Sequence, residues 1–320
     1  MKLLVPQEVL LDGVQTLIEG GAEIVRCGNN ESSLIAAIGD CDAVLARTEV
    51  YSRKVLEHAK NLKIIARYGV GTEKIDIEAA NDLGIWVSNT PLALTNAVAE
   101  HTLLLILSTA KYMHFCDKNL RLGNFSCRST LGMELLGKTL GVIGFGQIGR
   151  AVAQKCKDGF GLNIVVYDPN IPKDSLTEGV VVANDLQELL GKADIVTIHM
   201  PLAPATKGLA DKAFFAAMKD GSIFINAARG GIVVEPDLID ALQTGKLFGA
   251  GLDCFSSEPL PLDNPLYTLD NVVMTPHNAS ATTDSFLRCS VDMGKCIMDV
   301  LLEAKKPRYA VNNPLHPRVG

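Results

Sequence analysis

The chain has 320 residues, is 48% hydrophobic and 21% charged, and so reads as globular with room for two domains. A net charge of −6 and the lack of a basic arm argue against nucleic acid as the main partner. The longest apolar run near a helix, residues 103–107, is far too short to span a bilayer.

The N-terminal run Met1-Lys2-Leu3-Leu4-Val5-Pro6 reads as a short strand, not a signal peptide, because it turns polar at once. Further β-type runs fall at 23–26, 43–46, 62–68 and 85–88, with helical periodicity over 8–19, 52–60 and 77–83. That alternation predicts a small parallel-sheet α/β unit. From Ala97 to about Leu122 the pattern is one long helix, with no Pro or Gly before Gly123. A second alternating block has strands at 139–145, 163–168, 194–200, 222–227, 249–253 and 271–275, nearly all apolar, as strands covered on both faces must be. Residues 282–304 read as another long helix, and the Pro-containing tail from 307 as extended. The fold class expected is α/β with two domains, each a parallel sheet with flanking helices. The second domain (98–285) is inserted in the first (1–97 and 286–320), so both termini belong to the first.

The eight cysteines form no CxxC pair and have no His at metal-ligand spacing. They read as reduced, mostly buried small hydrophobes, with no metal site and a cytoplasmic location expected.

Gly144-Phe145-Gly146-Gln147-Ile148-Gly149 follows the strand at 139–143, and Asp168 ends the next strand 19 residues after Gly149. Strand, glycine turn, helix, strand and acid in that order cradle a dinucleotide. Gly144 permits the tight turn, Gly146 lets backbone approach the pyrophosphate, and Gly149 lets helix and strand pack. Asp168 accepts from ribose hydroxyls and repels a 2′-phosphate, and Pro169 and Asn170 supply no cation, so NAD is favoured over NADP. The bland alternative is a glycine-rich turn with no ligand.

Polar residues also gather at the C-terminal ends of three later strands: Asn226 to Gly231 with Arg229, Asp253 to Pro259 with Glu258, and Thr275 to Asn278 with His277. In an open parallel sheet that edge binds ligands. Hydride transfer to a 2-keto acid needs a cation for the carboxylate and carbonyl, which Arg supplies with two parallel N–H bonds. It needs a proton donor, which suits His, and a carboxylate such as Glu258 beside that His favours the imidazolium. Taken singly, each residue is as readily a surface ion pair or a structural side chain.

The chain resembles the D-isomer-specific 2-hydroxyacid dehydrogenase family over nearly its full length. The matching motifs are Arg67-Tyr68-Gly69-Val70-Gly71 with Ile75-Asp76, Val87 to Pro91, Ala97 to Thr102, Gly144 to Arg150, and His199 to Leu202. They continue through Ala228 to Gly231, Gly251 to Asp253, Glu258-Pro259 and Pro276-His277. The resemblance implies a Rossmann NAD domain inserted in a flavodoxin-like substrate domain, acting on a D-2-hydroxy acid. It implies that Arg229 binds substrate carboxylate and carbonyl, that His277 is the proton donor and base, and that Glu258 is its partner. Val70 and Gly71 amides would hold the carboxylate across an interdomain cleft. Gln147 and Ile148 would meet the pyrophosphate and Asp168 the ribose, while Met200, Ala227 and Asp253 would line the nicotinamide side, Asp253 accepting from the carboxamide. A homodimer built partly on the helix after Ala97 is implied too.

His101 reads as a packing or dimer-contact histidine, and His199 as one that hydrogen-bonds backbone. Arg47 is expected to project toward the cleft, facing a substrate phosphate or forming an ion pair, and Tyr68 to offer a hydroxyl or a flat wall. A small substrate of the hydroxypyruvate or glyoxylate kind is expected, with 3-phosphoglycerate as the rival. The long regulatory extension of some phosphoglycerate dehydrogenases has no counterpart in this sequence. The NAD-sensing corepressors share the fold and the same Arg, Glu and His, but no disordered interaction tail is evident here.

Overall fold

A computed structural model describes residues 1–171 and 178–318. The chain divides into two compact units, one made of Met1–Leu94 with Ala281–Gly320 and the other of Thr95–Ser280. The second is an insertion in the first.

The first unit is built on β1 (Lys2–Val5), β2 (Glu23–Arg26), β3 (Ala43–Ala46), β4 (Ile64–Arg67) and β5 (Trp86–Ser88). All pair parallel in the order β2-β1-β3-β4-β5, the flavodoxin-like arrangement. All four residues of β3 are buried, which explains why its sequence runs apolar without alternation. The helices are α1 (Gln15–Glu19), α2 (Glu31–Ile38), α3 (Arg53–Glu57) and α4 (Ile77–Asp82). Asn30, Ser52 and Asp76 cap the last three, each side chain accepting an N–H from the first turn. The helix expected over 8–19 shrinks to a 3₁₀ turn at Asp12–Val14 followed by α1. The long C-terminal helix of this unit diverts the backbone groups an earlier start would use. Ser290 Oγ donates to the Leu10 carbonyl at 2.5 Å and accepts from the Gly13 N–H at 3.0 Å.

In the second unit the helices and strands are α5 (Thr95–Ala110), α6 (Met113–Arg121), β6 (Thr139–Ile143), α7 (Gln147–Phe160), β7 (Asn163–Tyr167), β8 (Val180–Val182), α8 (Leu186–Lys192), β9 (Ile195–Ile198), α9 (Lys212–Ala217), β10 (Ser222–Asn226), α10 (Glu235–Gln243), β11 (Leu247–Leu252) and β12 (Val272–Met274). Helix α11 (Thr283–Leu301) returns the chain to the first unit. The seven strands are parallel in the order β12-β11-β10-β9-β6-β7-β8. This is a doubly wound sheet whose order reverses between β6 and β9, and ligands sit outside the strand C-termini at such a reversal. Apolar clusters cover the sheet, one around Phe214, Phe215 and Phe224, the other around Leu105, Val152 and Ile164.

Two expectations are corrected here. The single helix over 97–122 is broken, because Tyr112 takes a left-handed backbone (φ 51°) and its ring packs 4.8 Å from that of Phe248. No Pro or Gly announces the break, since a tertiary ring contact anchors it. The edge strand β8 was not foreseen: Val181 and Val182 are exposed, so it leaves no buried apolar signature. Among the described residues no helix is long and apolar enough to cross a membrane, and no group of three potential ligands is placed to hold a metal.

Candidate active site

The glycine loop follows β6. Gly144 has φ +89°, and a Cβ there would lie 2.7 Å from the His199 carbonyl oxygen, so both conformation and space demand glycine. A Cβ on Gly149 would lie 2.2 Å from the Gly144 carbonyl, which is how closely α7 rests on the loop. Gly146 is the N-cap of α7 and supplies no side-chain cap, and a Cβ on it would meet nothing within 4 Å. The first N–H groups of α7, Gln147 and Ile148 among them, thus give no bond to an N-cap side chain, and the helix's partial positive charge lies behind them. That is a cradle for a pyrophosphate, and it fits a dinucleotide. Asp168, just past β7, accepts from the Phe145 N–H at 2.8 Å and the Asn170 N–H at 2.9 Å, which fix its carboxylate beside the loop.

His199 lies just past β9. Its ring bonds the Thr197 hydroxyl at 3.0 Å rather than a backbone group. Burial pushes it down to about 4, so it is uncharged at neutral pH and is no proton donor there. Met200 and Ala227 are half-buried and pack against the two apolar clusters of the sheet.

Arg229, Glu258 and His277 share one pocket, lined also by Gly231, Phe255 and Ser256. Asn226, fully buried at the end of β10, sets the loop that carries Arg229. Its Oδ1 accepts from the Ala228 N–H and its Nδ2 donates to the Arg229 carbonyl, both at 3.0 Å. The Arg229 Nη1 donates to the Ala228 carbonyl at 2.8 Å. A Cβ on Gly230 would lie 1.8 Å from the Phe255 carbonyl, so this loop and the one bearing Glu258 meet backbone to backbone. Glu258 divides its carboxylate. Oε1 accepts from the Phe255 N–H at 3.1 Å, and Oε2 lies 2.8 Å from His277 Nδ1. A carboxylate only accepts, so Nδ1 carries the proton and Nε2 is left to exchange one with a ligand. Cys254 is only 3% exposed, and burial raises its thiol far above the ordinary value, so it stays protonated and is no nucleophile.

His277 itself has a left-handed backbone, φ +50°. Asp253, 1% exposed just past β11, ties down the segment on either side of it. Oδ1 accepts from the Thr275 hydroxyl at 2.6 Å and the Asn278 N–H at 3.0 Å, while Oδ2 accepts from the Ala279 N–H at 2.9 Å. The observed bonds of Asp253 therefore serve the His277 loop. Thr275 and Asn226 were not singled out in the sequence. Their position at strand ends next to Arg229 and His277 was the available signal, but only the fold shows which backbone groups they satisfy.

In the first unit, Arg47 is stacked rather than extended. Its guanidinium lies 5.4 Å from the Phe286 ring centre and 6.0 Å from that of Tyr68, with Nη1 3.3 Å from the Glu8 carbonyl. It forms no ion pair among the described residues. Tyr68 is 5% exposed, edge-on to Phe286, and its hydroxyl has no partner among the described residues. Val70 is exposed, and the N–H groups of Val70 and Gly71 make no hydrogen bond among the described residues.

A doubly wound domain with a glycine cradle and an Arg, a Glu and a His at its strand ends defines a dinucleotide-binding α/β protein. Residues 103–279 match the NAD binding domain of the D-isomer specific 2-hydroxyacid dehydrogenases. The D-3-phosphoglycerate dehydrogenase of Methanocaldococcus jannaschii is 39% identical over 320 residues, covering 99% of this chain and 60% of that protein. The hydroxypyruvate reductase of Thermotoga maritima is 38% identical over 267 residues, covering 82% of this chain and 86% of that one. The crystal structure of TT0316 protein from Thermus thermophilus superposes with a TM-score of 0.90 at 36% identity, covering 97% of this chain and all of that one. The chain belongs to the D-isomer specific 2-hydroxyacid dehydrogenase family and carries its NAD-binding domain. It spans 51–60% of the length of the phosphoglycerate dehydrogenases it matches.

Proposed function

We propose that this protein is an NAD-dependent oxidoreductase acting on a small D-2-hydroxy acid or the matching 2-keto acid, of the hydroxypyruvate or glyoxylate class. The observation that carries the reading is the 2.8 Å Glu258–His277 pair in one pocket with Arg229, on the strand edge that also bears the glycine cradle. The glycine loop from Gly144 to Gly149 and Asp168 would hold NADH, which when bound would supply the hydride for the keto carbon. Arg229 holds the carboxylate and draws electron density onto the carbonyl oxygen. His277 delivers the Nε2 proton to that oxygen, and Glu258 supports the imidazolium that precedes the transfer. In the opposite direction Nε2 takes the hydroxyl proton. In the first unit, the N–H groups of Val70 and Gly71, which make no hydrogen bond among the described residues, suit an anion, and Tyr68 suits an apolar group. A 3-phosphorylated substrate is the second reading, favoured by the cation of Arg47 and the identity to phosphoglycerate dehydrogenases.

The test is an NADH-oxidation screen with glyoxylate, hydroxypyruvate and 3-phosphohydroxypyruvate. Turnover on either of the first two supports the reading, while a preference for the third moves the assignment to the phosphorylated acid. NADH binding with no turnover at all would mark a sensing module instead of an enzyme.

The cofactor assignment has its own test. Asp168→Ala removes a carboxylate able to accept from two ribose hydroxyls, so NAD binding should weaken about 10-fold to 100-fold and the gap to NADP should narrow. Fluorescence titration with NADH and NADPH reads both, and an unaltered ratio takes Asp168 out of the ribose site. For assembly we infer a homodimer. Leu122, Phe125, Leu131 and Leu136, beyond α6, are 64–85% exposed and offer a second copy apolar side chains to cover. A monomer in sedimentation velocity at micromolar concentration would refute it. All eight cysteines are unpaired, which fits a reducing cytoplasm, where we place the protein.

A further inference from the structure

The backbone of His277 needs a cause. A left-handed non-glycine residue costs about 1 kcal/mol or more and persists only where its surroundings hold it. The hold comes from Asp253, whose carboxylate binds residues 275, 278 and 279 on both sides of His277. That carboxylate is 1% exposed and so depends on every donor around it. One further donor stands nearby. His101, half-buried on α5, places Nε2 2.9 Å from the Thr275 hydroxyl and 3.6 Å from Asp253 Oδ1.

The direction of this chain of bonds follows from the number of protons. Thr275 has one hydroxyl hydrogen, and it points at Asp253, 2.6 Å away. The Thr275 oxygen therefore accepts from His101, which fixes the His101 proton on Nε2. The order is imidazole N–H to hydroxyl to carboxylate, and each bond polarises the next. It joins α5, the strand end after β12 and the loop after β11 at the root of the segment that carries the acid–base histidine.

We propose that His101 is a positioning residue: through Thr275 and Asp253 it locks the 275–279 segment and so aims His277 at the substrate oxygen. The proposal rests on the function assigned above to His277. No contact of His101 with substrate or cofactor is proposed. His101 acts on the reaction only by holding Thr275, and its position mid-helix on α5 makes it a rigid post for a loop.

The test compares His101→Leu, which keeps the volume and loses the donor, with His101→Gln, whose amide N–H₂ takes the place of Nε2–H. Two readouts are taken on the full chain. The first is kcat and KM for the 2-keto acid and for NADH. The second is hydrogen exchange of the 275–279 amides without any substrate. His101→Leu should lower kcat about 10-fold to 100-fold, as expected for a misplaced reacting group, with the KM for NADH within about 2-fold. Exchange at Asn278 and Ala279 should rise about 5-fold, the loss of one ordinary hydrogen bond. His101→Gln should recover most of both. Unchanged kcat and exchange in His101→Leu would overturn the proposal, as would a folded His101→Gln impaired as badly as His101→Leu. If the unmodified protein reduces no keto acid, the function assigned to His277 fails by itself, and the exchange readout still decides whether His101 holds the loop.

Discussion

His277→Ala is expected to lower kcat for keto-acid reduction by about 10²- to 10⁴-fold while leaving NADH binding within a few-fold of the unmodified protein, since it removes the acid without touching the cradle. Three observations set that size. Nδ1 is committed to Glu258 at 2.8 Å, so Nε2 is the ring nitrogen left for substrate. The pocket holds the ring together with Arg229. His199, the other histidine at a strand end of this sheet, is held neutral at pH 7 by burial and cannot stand in as an acid. Single-turnover NADH oxidation with saturating keto acid measures the chemical step, and fluorescence titration of NADH measures the cofactor. A His277→Ala protein that turns over within 5-fold of the unmodified one would remove the imidazole from the mechanism.

The second large effect belongs to Arg229. Arg229→Ala should cut kcat/KM by about 10³-fold or more, because the guanidinium is asked to serve both the bound carboxylate and the charge that develops on the carbonyl oxygen. Arg229→Lys should recover only part of this, since an ammonium keeps the charge and loses the planar pair of N–H bonds. The loop around it is built to survive the change. Asn226 holds the main chain of residues 228 and 229 through its own side chain, and Gly230 rests on the Phe255 backbone. The loss should therefore be one of recognition and chemistry, not of folding. A kcat/KM for Arg229→Ala equal to that of the unmodified protein would break the assignment, and with it the reading of this pocket as an anion site.

Much of the site was legible without a structure, for reasons particular to each residue. The glycines at 144 and 149 announce a backbone that tolerates no Cβ, and the fold shows which atoms each Cβ would meet, whereas a Cβ at Gly146 would meet no atom of the protein. Asp168 was found by its spacing from that loop, Arg229 and His277 because they follow apolar strands, and Glu258 because it lies in the polar segment after a third strand and is the carboxylate type that would pair with His277. The strands of the second unit were visible because burial on both faces forces unbroken apolar runs, as in β9 and β10. The break at Tyr112 was not, because the residue that forces it is held by Phe248, 136 positions away along the chain. The stacking of Arg47 was hidden for the same reason, since Phe286 approaches it from α11.

By itself the sequence determined the buried strands of both sheets, the dinucleotide loop and the residue types gathered at the candidate site, all of which are properties of periodicity and of neighbours along the chain. The tertiary structure decided what those residues bond. Asp253 bonds residues 275, 278 and 279 around His277, His101 lies 2.9 Å from the Thr275 hydroxyl, and Arg47 stacks on Phe286 and Tyr68. Hydrogen-bond partners and ring contacts join residues that are distant in sequence and fall within 3 to 6 Å of each other only once the sheets have formed. Local pattern says which side chains reach a strand end, and only packing says which atoms are there to meet them.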